Sequence, residues 1–473
     1  MREEKRLIRN TAIIAIGNLS TRLVSFLLLP LYTSILSTSE YGMIDYVISI
    51  STFCVPIVSL LMDESVFRFL IDCKTDEERK KVISITTKNV LIGCLVFIAI
   101  AIPVLLFFRF EYSIELILYI LAFTISMMLS AILRGQGRTD LFAVFNFISG
   151  VSNVVLNVLF IAVFKFGVRG MLYAYIISQI GISIVFIIRN GIIKQIDLTA
   201  RDIRLNKEII KYSLPLIPNK ISWAIINLSD RIMVMNMIGS SASGLYAISY
   251  KFPSLMDTLY GFFYQAWKES SARALEGSDV KAFYQKIYTY LRRLMIAVVL
   301  CFTSFMPLIY RLMINEAYYK SLDYVPILLL ATFFSNMSGF FGGIFTAYKD
   351  TKVMGTTTAV AAIINIVINF AFIPRIGVWA AAISTLVANI FGYVYRVYAS
   401  RKYMIVKETA LQLVLQGVSI IIVFIMFYRK STLSYLTGAI YALIVSSIIN
   451  RNAISLFLRI LHDKVKLRGT SKK

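Results

Sequence analysis

Lys211–Gln265 reads KYSLPLIPNKISWAIINLSDRIMVMNMIGSSASGLYAISYKFPSLMDTLYGFFYQ. It is two long apolar segments with charges in their middles: Lys220, Asp230 and Arg231 in the first, Lys251 and Asp257 in the second. A charge at the centre of a bilayer helix costs about 2.5–3.5 kcal/mol on insertion scales. Several in one hairpin therefore need something wet or anionic to face. Lys220, Asn227 and Arg231 fall at i, i+7 and i+11, one stripe of a helix. Ala247, Lys251, Ser254, Thr258, Gly261 and Gln265 fall at alternating steps of four and three, again one stripe. Apolar residues fill the other faces. The reading is two membrane helices, each with an apolar side to lipid or neighbours and a cationic side to a cavity. The plainer alternative is a set of buried ion pairs, Lys251 with Asp257 for example.

The rest of the chain has the same character. It is 58% hydrophobic and only 16% charged, the composition of a polytopic membrane protein. A net charge of +23 raises nucleic acid as a partner, but the Lys and Arg sit in short gaps between apolar runs, so none is expected. Cys54, Cys73, Cys94 and Cys301 show no ligand-like spacing, which predicts neither a disulfide nor a metal site. The single histidine, His462, lies on a basic stretch near the C-terminus. A His base is thus badly placed, and an enzyme is not expected. The first apolar run continues past Tyr32, too long for a cleavable signal.

About fourteen apolar runs reach spanning length. Gaps after even-numbered spans are rich in Lys and Arg: Arg68–Lys88, Arg134–Arg138, Arg189–Lys211, Lys268–Arg293 and Arg396–Lys407. Gaps after odd-numbered spans are poor in them, and Ser37–Tyr41 and Ile238–Ser243 carry none. The positive-inside rule then sets both termini in the cytoplasm of a multi-pass protein of the cytoplasmic membrane. Asp72–Lys88 and Ile193–Lys211 read as short helices on the membrane surface. Residues 451–473 form a basic amphipathic tail suited to the anionic inner leaflet, membrane lipids being an expected partner.

The sequence repeats. A shift of 202 residues sets Leu36–Gly42 on Ile238–Gly244. The same shift sets the polar stripe of span two (Asp45, Ser49, Thr52, Pro56, Ser59, Asp63) on that of span eight. A shift of 204 pairs Lys88 with Arg292, and a shift of 212 pairs Asn153 and Asn157 with Asn365 and Asn369. Each copy has six spans, an even number, so the copies share one orientation. The expected fold is an all-α polytopic membrane protein. It has two six-helix lobes in a parallel pseudo-two-fold repeat, residues 1–190 and 209–400, joined by a cytoplasmic linker, 191–208. Residues 401–450 add two helices without a repeat partner. Prolines 30, 56, 103, 215, 218, 253 and 307 lie within spans, as hinges or static kinks.

This organisation resembles the multidrug/oligosaccharidyl-lipid/polysaccharide exporter superfamily, and within it the polysaccharide flippases. The stretches that carry the resemblance are Leu29-Pro30-Leu31-Tyr32 with Ser37–Gly42, Arg134–Thr139, and Asn227-Leu228-Ser229-Asp230-Arg231. It implies translocation of an undecaprenyl-pyrophosphate-linked oligosaccharide from the cytoplasmic to the outer leaflet. The residues suit that cargo. Arg22, Lys220, Arg231 and Lys251 are candidates to hold the pyrophosphate, Arg by bidentate contacts and Lys as a point charge. Asn18, Ser25, Ser49, Thr52, Asn227, Ser254, Thr258 and Gln265 offer partners to sugars.

Resemblance to the lipid II flippases of the same superfamily implies a sodium site at Asn365, Asn369 and Thr385, with Asn227 or Asp230 from span seven. Asn369 stands where a carboxylate is expected, so a proton carried on Asp230 or Asp257 is an equal candidate for coupling. Na+ or H+ is thus the one small ion expected, with no other cofactor. A polysaccharide polymerase and glycosyltransferases of the same pathway are the expected protein partners. Three rivals remain. A multidrug exporter would favour a carboxylate-rich cavity. A major facilitator would carry a basic motif where Asp72–Lys81 stands. A membrane polymerase or ligase would need a large external loop. Cysteines placed at Ser241 and Ser278 are predicted to label from opposite sides of the membrane. Labelling of both from one side would overturn the span assignment.

Overall fold

An apolar segment in a bilayer has no water to satisfy its backbone, so it folds as a helix. Among the described residues every regular element is helical. The computed structural model describes residues 26–276, 279–451 and 455, apart from the side chains of 219, 222, 223, 226, 227, 351 and 410. The α-helices are α1 (Leu29–Ile35), α2 (Thr38–Val58), α3 (Met62–Asp72), α4 (Asp76–Phe107), α5 (Ser113–Gly135), α6 (Thr139–Asn157), α7 (Gly167–Arg189) and α8 (Ile203–Ser213). They continue as α9 (Ile217–Met237), α10 (Ser240–Arg273), α11 (Val280–Met313), α12 (Val325–Ala347), α13 (Thr351–Ile376), α14 (Val378–Ala399), α15 (Ala410–Tyr428) and α16 (Thr432–Ile449). Eleven described segments are long and apolar enough to cross a membrane. The charged hairpin is helical as well, over 21 residues in α9 and 34 in α10. Most of the first expected span, and the tail beyond 455, lie outside the described residues.

Local signals set the boundaries. Ser37 and Glu40 form a reciprocal capping box that starts α2, and Thr75 and Glu78 do the same for α4. Leu60 and Leu61 both take positive φ, which separates α2 from α3. Asp72–Lys88 is not a surface helix of its own. Its residues from Asp76 onward are the first turns of the 32-residue α4, because the capping box feeds directly into the apolar run. Within 193–211 a short amphipathic helix does form, α8. Prolines 56, 103, 253 and 307 sit inside helices, whereas Pro30, Pro215 and Pro218 occupy first-turn positions, where the missing N–H costs nothing.

The chain packs as two compact units, Met1–Gly244 and Leu245–Lys473. Within the first unit α9, which follows the 191–208 segment, packs along α2. In the first unit α5, α6 and α7 enclose a core of Leu129, Leu133, Phe145, Phe186 and Ile192. α3 lies against α5, with the Arg134 guanidinium 4.2 Å over the Phe67 ring. In the second unit α12 is the most deeply buried span. Trp267 of α10 stacks on Phe340 at 4.5 Å and donates from Nε1 to its carbonyl at 2.8 Å. Only a glycine at 343 allows this approach, since a Cβ there would lie 2.4 Å from the indole. α15 and α16 pack on α11. A buried ion pair, Arg292 Nη2 to Glu408 Oε2 at 2.6 Å, anchors the segment that leads into α15.

Candidate functional site

The capping box aims α2 so that Asp45 and Ser49, at i and i+4, share the face turned to α9. Arg231 of α9 meets both. Its Nη1 donates to Asp45 Oδ1 at 2.5 Å and to Ser49 Oγ at 3.0 Å. The side chains are 21% exposed for Arg231 and 9% for Asp45. The second carboxylate oxygen, Asp45 Oδ2, is buried and has no hydrogen-bond partner among the described residues. Arg231 thus pairs across 186 residues of sequence, and Asp230 beside it is buried. A charge-assisted pair in such surroundings is strong, and removing one partner strands the other.

Toward the start of α2 the backbones nearly touch. A Cβ on Gly42 would lie 2.0 Å from the Ser240 carbonyl oxygen, and one on Gly244 would lie 1.9 Å from that of Thr38. Two hydroxyl pairs flank this crossing, Thr38 Oγ1 with Ser241 Oγ at 2.6 Å and Ser39 Oγ with Ser240 Oγ at 2.5 Å. The 202-residue shift turns Thr38 into Ser240 and Ser39 into Ser241. Each pair is therefore the repeat image of the other, the signature of a local two-fold axis.

The other sequence candidates fall in several places. Lys220 is the fourth residue of α9, not at mid-span, and its Nζ lies 3.1 Å from Glu64 Oε1 of α3, half-exposed. The Thr52 hydroxyl donates to its own helix at Ile48 O. Lys251, Ser254, Asp257 and Thr258 are half-buried in the second unit. Ser254 donates to Lys251 O at 2.6 Å and Thr258 to Ser254 O at 2.8 Å. Asn18, Arg22, Ser25 and the Asn227 side chain lie outside the described residues.

Asn365, Asn369 and Thr385 do come together, around a residue the sequence did not single out. Asn365 Nδ2 donates to Ser384 Oγ at 3.1 Å and Thr385 Oγ1 at 3.4 Å, and Ser384 Oγ donates to Asn369 Oδ1 at 2.7 Å. Asn369 Nδ2 closes the ring on Asn365 Oδ1 at 3.2 Å. These bonds hold α13 to α14. Among the described residues no three His, Cys, Asp or Glu side chains cluster as metal ligands. A second residue with no sequence signal of its own is Arg396 of α14, 6% exposed. Its guanidinium is held by Thr357, Thr358 and the carbonyls of Ser338 and Met354, all neutral acceptors.

The fold has known counterparts. The polysaccharide biosynthesis protein family matches residues 7–268, more than half of the chain, and the chain belongs to that family. Among solved structures it is similar to an inward-facing multidrug resistance MATE transporter of the MOP superfamily, with 15% identity, 82% of this chain and 97% of that one covered, and TM-score 0.69. It is similar also to the lipid II flippase MurJ in an inward closed conformation, with 17% identity, 93% and 99% covered, and TM-score 0.68. A MOP superfamily transporter from Pyrococcus furiosus follows at 16% identity, 85% and 96% covered, and TM-score 0.56. No curated protein shows significant sequence similarity. The fold is therefore shared with these MATE and MurJ structures.

The Asp45–Arg231 pair yields a direct prediction. Asp45→Asn strands the guanidinium and is expected to cost about 3 kcal/mol, read as a lower melting temperature of the purified protein. The charge swap Asp45→Arg with Arg231→Asp is expected to recover part of that loss. Equal melting temperatures for Asp45→Asn and wild type would show that the pair is not formed.

Proposed function

We propose that the protein flips an undecaprenyl-pyrophosphate-linked oligosaccharide from the cytoplasmic to the outer leaflet, by alternating access through a cationic central cavity. The observation that carries this reading is Arg231 held by Asp45 and Ser49 within a family of polysaccharide biosynthesis proteins. A guanidinium on a membrane helix needs an anion, and Asp45 is a monodentate one with an idle second oxygen. A pyrophosphate offers several oxygens in the geometry a guanidinium favours. The substrate head group competes with Asp45 for Arg231, and the crossing at Gly42 and Gly244 parts when it wins. Lys220, Lys251 and Arg22 supply further positive charge along the path. Ser49, Thr52, Asn18, Asn227, Ser254 and Thr258 serve the sugars.

Coupling is to a cation gradient, with Asp230 and Asp257 as the proton carriers. Asn369 stands where a sodium site of this kind would have a carboxylate, which favours H+ over Na+. The protein acts in the cytoplasmic membrane beside the glycosyltransferases and polymerase of its pathway. The multidrug reading rests on the fold likeness to MATE transporters, but a drug that is itself a cation gains nothing from Arg231, Lys220 and Lys251.

Flipping of a fluorescent lipid-linked oligosaccharide in proteoliposomes tests this directly. Imposing sodium, proton and voltage gradients one at a time is expected to show acceleration by a proton gradient. Arg231→Ala is expected to slow flipping at least tenfold, since a charge-assisted phosphate contact is worth about 1.5–3 kcal/mol. Arg231→Ala flipping at the wild-type rate, or faster efflux of a cationic dye than of the lipid-linked sugar, would overturn the reading.

A further inference from the structure

Each unit has a cavity at its Lys/Arg-rich end, and the two occupy matching places in the repeat. In the first unit a cavity of about 370 Å3 lies between the foot of α4 and the segment after α7. Its charged lining is Lys80, Lys81 and Arg201 against Glu77, Asp197 and Asp202. Cations and carboxylates balance, and Lys81 Nζ pairs with Glu77 Oε1 at 2.9 Å. In the second unit a cavity of about 590 Å3 lies between the foot of α11 and the segment after α14. Lys281, Lys286, Arg293 and Lys407 line it, with Asp279 as the one carboxylate. The shift of 204 that pairs Lys88 with Arg292 also sets Glu77 on Lys281 and Lys81 on Gln285. A position that is acidic in one copy is basic in the other.

The excess charge has no carboxylate counter-ion among the described residues. Among the described residues none of the four cations has a carboxylate within ion-pair distance. Asp279 caps α11, accepting from the Ala282 N–H at 3.1 Å. Glu408, next to Lys407, is buried and taken by Arg292. Four like charges around one cavity repel one another and draw an anion. The walls are fixed to each other. The Gln285 side chain accepts from the Lys407 N–H at 3.0 Å and donates to the Lys407 carbonyl at 3.1 Å.

The position of the cavity narrows the anion. α11 has 34 residues, which at ~1.5 Å each exceeds a hydrocarbon core of about 30 Å by several turns. Its foot therefore stands at head-group depth. Lys286, Tyr290 and Arg293 fall on one stripe at i, i+4 and i+7, and Leu294 follows. Tyr290, Leu294 and Ile405 are exposed large apolar side chains beside the cations. A ligand that meets both has a phosphate above and methylenes below.

We infer that this cavity binds the phosphate head group of an anionic phospholipid of the cytoplasmic leaflet. Lys281, Lys286, Arg293 and Lys407 take the phosphate, and Tyr290, Leu294 and Ile405 take the first part of the acyl chains. The cavity of the first unit, internally neutralised, does not.

Native mass spectrometry of the full-length protein, titrated with phosphatidylglycerol or phosphatidylcholine, tests the assignment. The variant Lys281→Gln, Lys286→Gln, Lys407→Gln is expected to bind phosphatidylglycerol at least about tenfold more weakly than wild type. The matching change in the first unit, Lys80→Gln, Lys81→Gln, Arg201→Gln, is expected to bind as wild type does. Phosphatidylcholine is expected to distinguish none of the three, and millimolar inorganic phosphate is expected to leave bound phosphatidylglycerol in place. Wild-type binding by the first variant, or equal losses in both, would overturn the site. Displacement by inorganic phosphate would overturn the lipid as its ligand. Should the triple variant melt below wild type, Lys281→Gln alone decides. It is expected to lose about fivefold, with Lys281→Arg restoring binding, and an unchanged affinity refutes the proposal.

Discussion

An arginine on a membrane-length helix has to be neutralised, and the way Arg231 achieves this shapes the first unit. Its partner, Asp45, comes from α2, so satisfying the charge brings α9 alongside α2. That pairing places α9 in the same compact unit as α2, which extends to Gly244. The same approach brings the start of α10 onto the start of α2, where only hydrogens at positions 42 and 244 permit the backbones to cross. The ion pair supplies directionality, the glycines supply room, and the hydroxyl pairs complete a contact that repeats itself under the 202-residue shift. Each element is weak or costly alone. Asp45 and Arg231 are expensive to bury singly, and two serine-type hydroxyl contacts near the surface stabilise little.

Such a contact is suited to opening. A packed apolar seam gains free energy steadily with area, whereas an ion pair with an idle carboxylate oxygen can exchange one anion for another. Under the proposed function that second anion is the phosphate of the substrate, and the exchange would tie its arrival to release of the crossing. The second unit is held differently. Trp267, Phe340 and Gly343 interlock, and Arg292 with Glu408 forms a fully buried pair that ties α15 to α11. Neither has an idle acceptor on the carboxylate side that a passing phosphate could replace.

Much of this was legible in the residues. The apolar runs, the Lys/Arg alternation and the repeat define the fold class, because bilayer thickness and backbone satisfaction leave few options. Arg231 and Ser49 were marked by their stripes, and so was Asp45 as part of span two. Their pairing was not, since stripe arguments say which face a residue occupies and not which helix that face meets. Lys220 looked central by counting along the apolar run, but Pro218 places the helix start at Ile217 and leaves Lys220 in the first turn beside Glu64. Asn365 and Asn369 were legible as an i, i+4 pair. Ser384, which closes their ring, is one more serine in an apolar helix until α13 and α14 are packed. Arg396 gave no signal because it reads as the first cation of a cytoplasmic gap.

The central claim is that the crossing of α2 with the start of α10 must part during each transport cycle. Thr38→Cys with Ser241→Cys, in a chain whose four native cysteines are replaced, places two thiols where two hydroxyls now lie 2.6 Å apart. Flipping in proteoliposomes is then measured before and after oxidation. The account predicts that the disulfide abolishes flipping and that reduction restores it. Undiminished flipping by the cross-linked protein would contradict it.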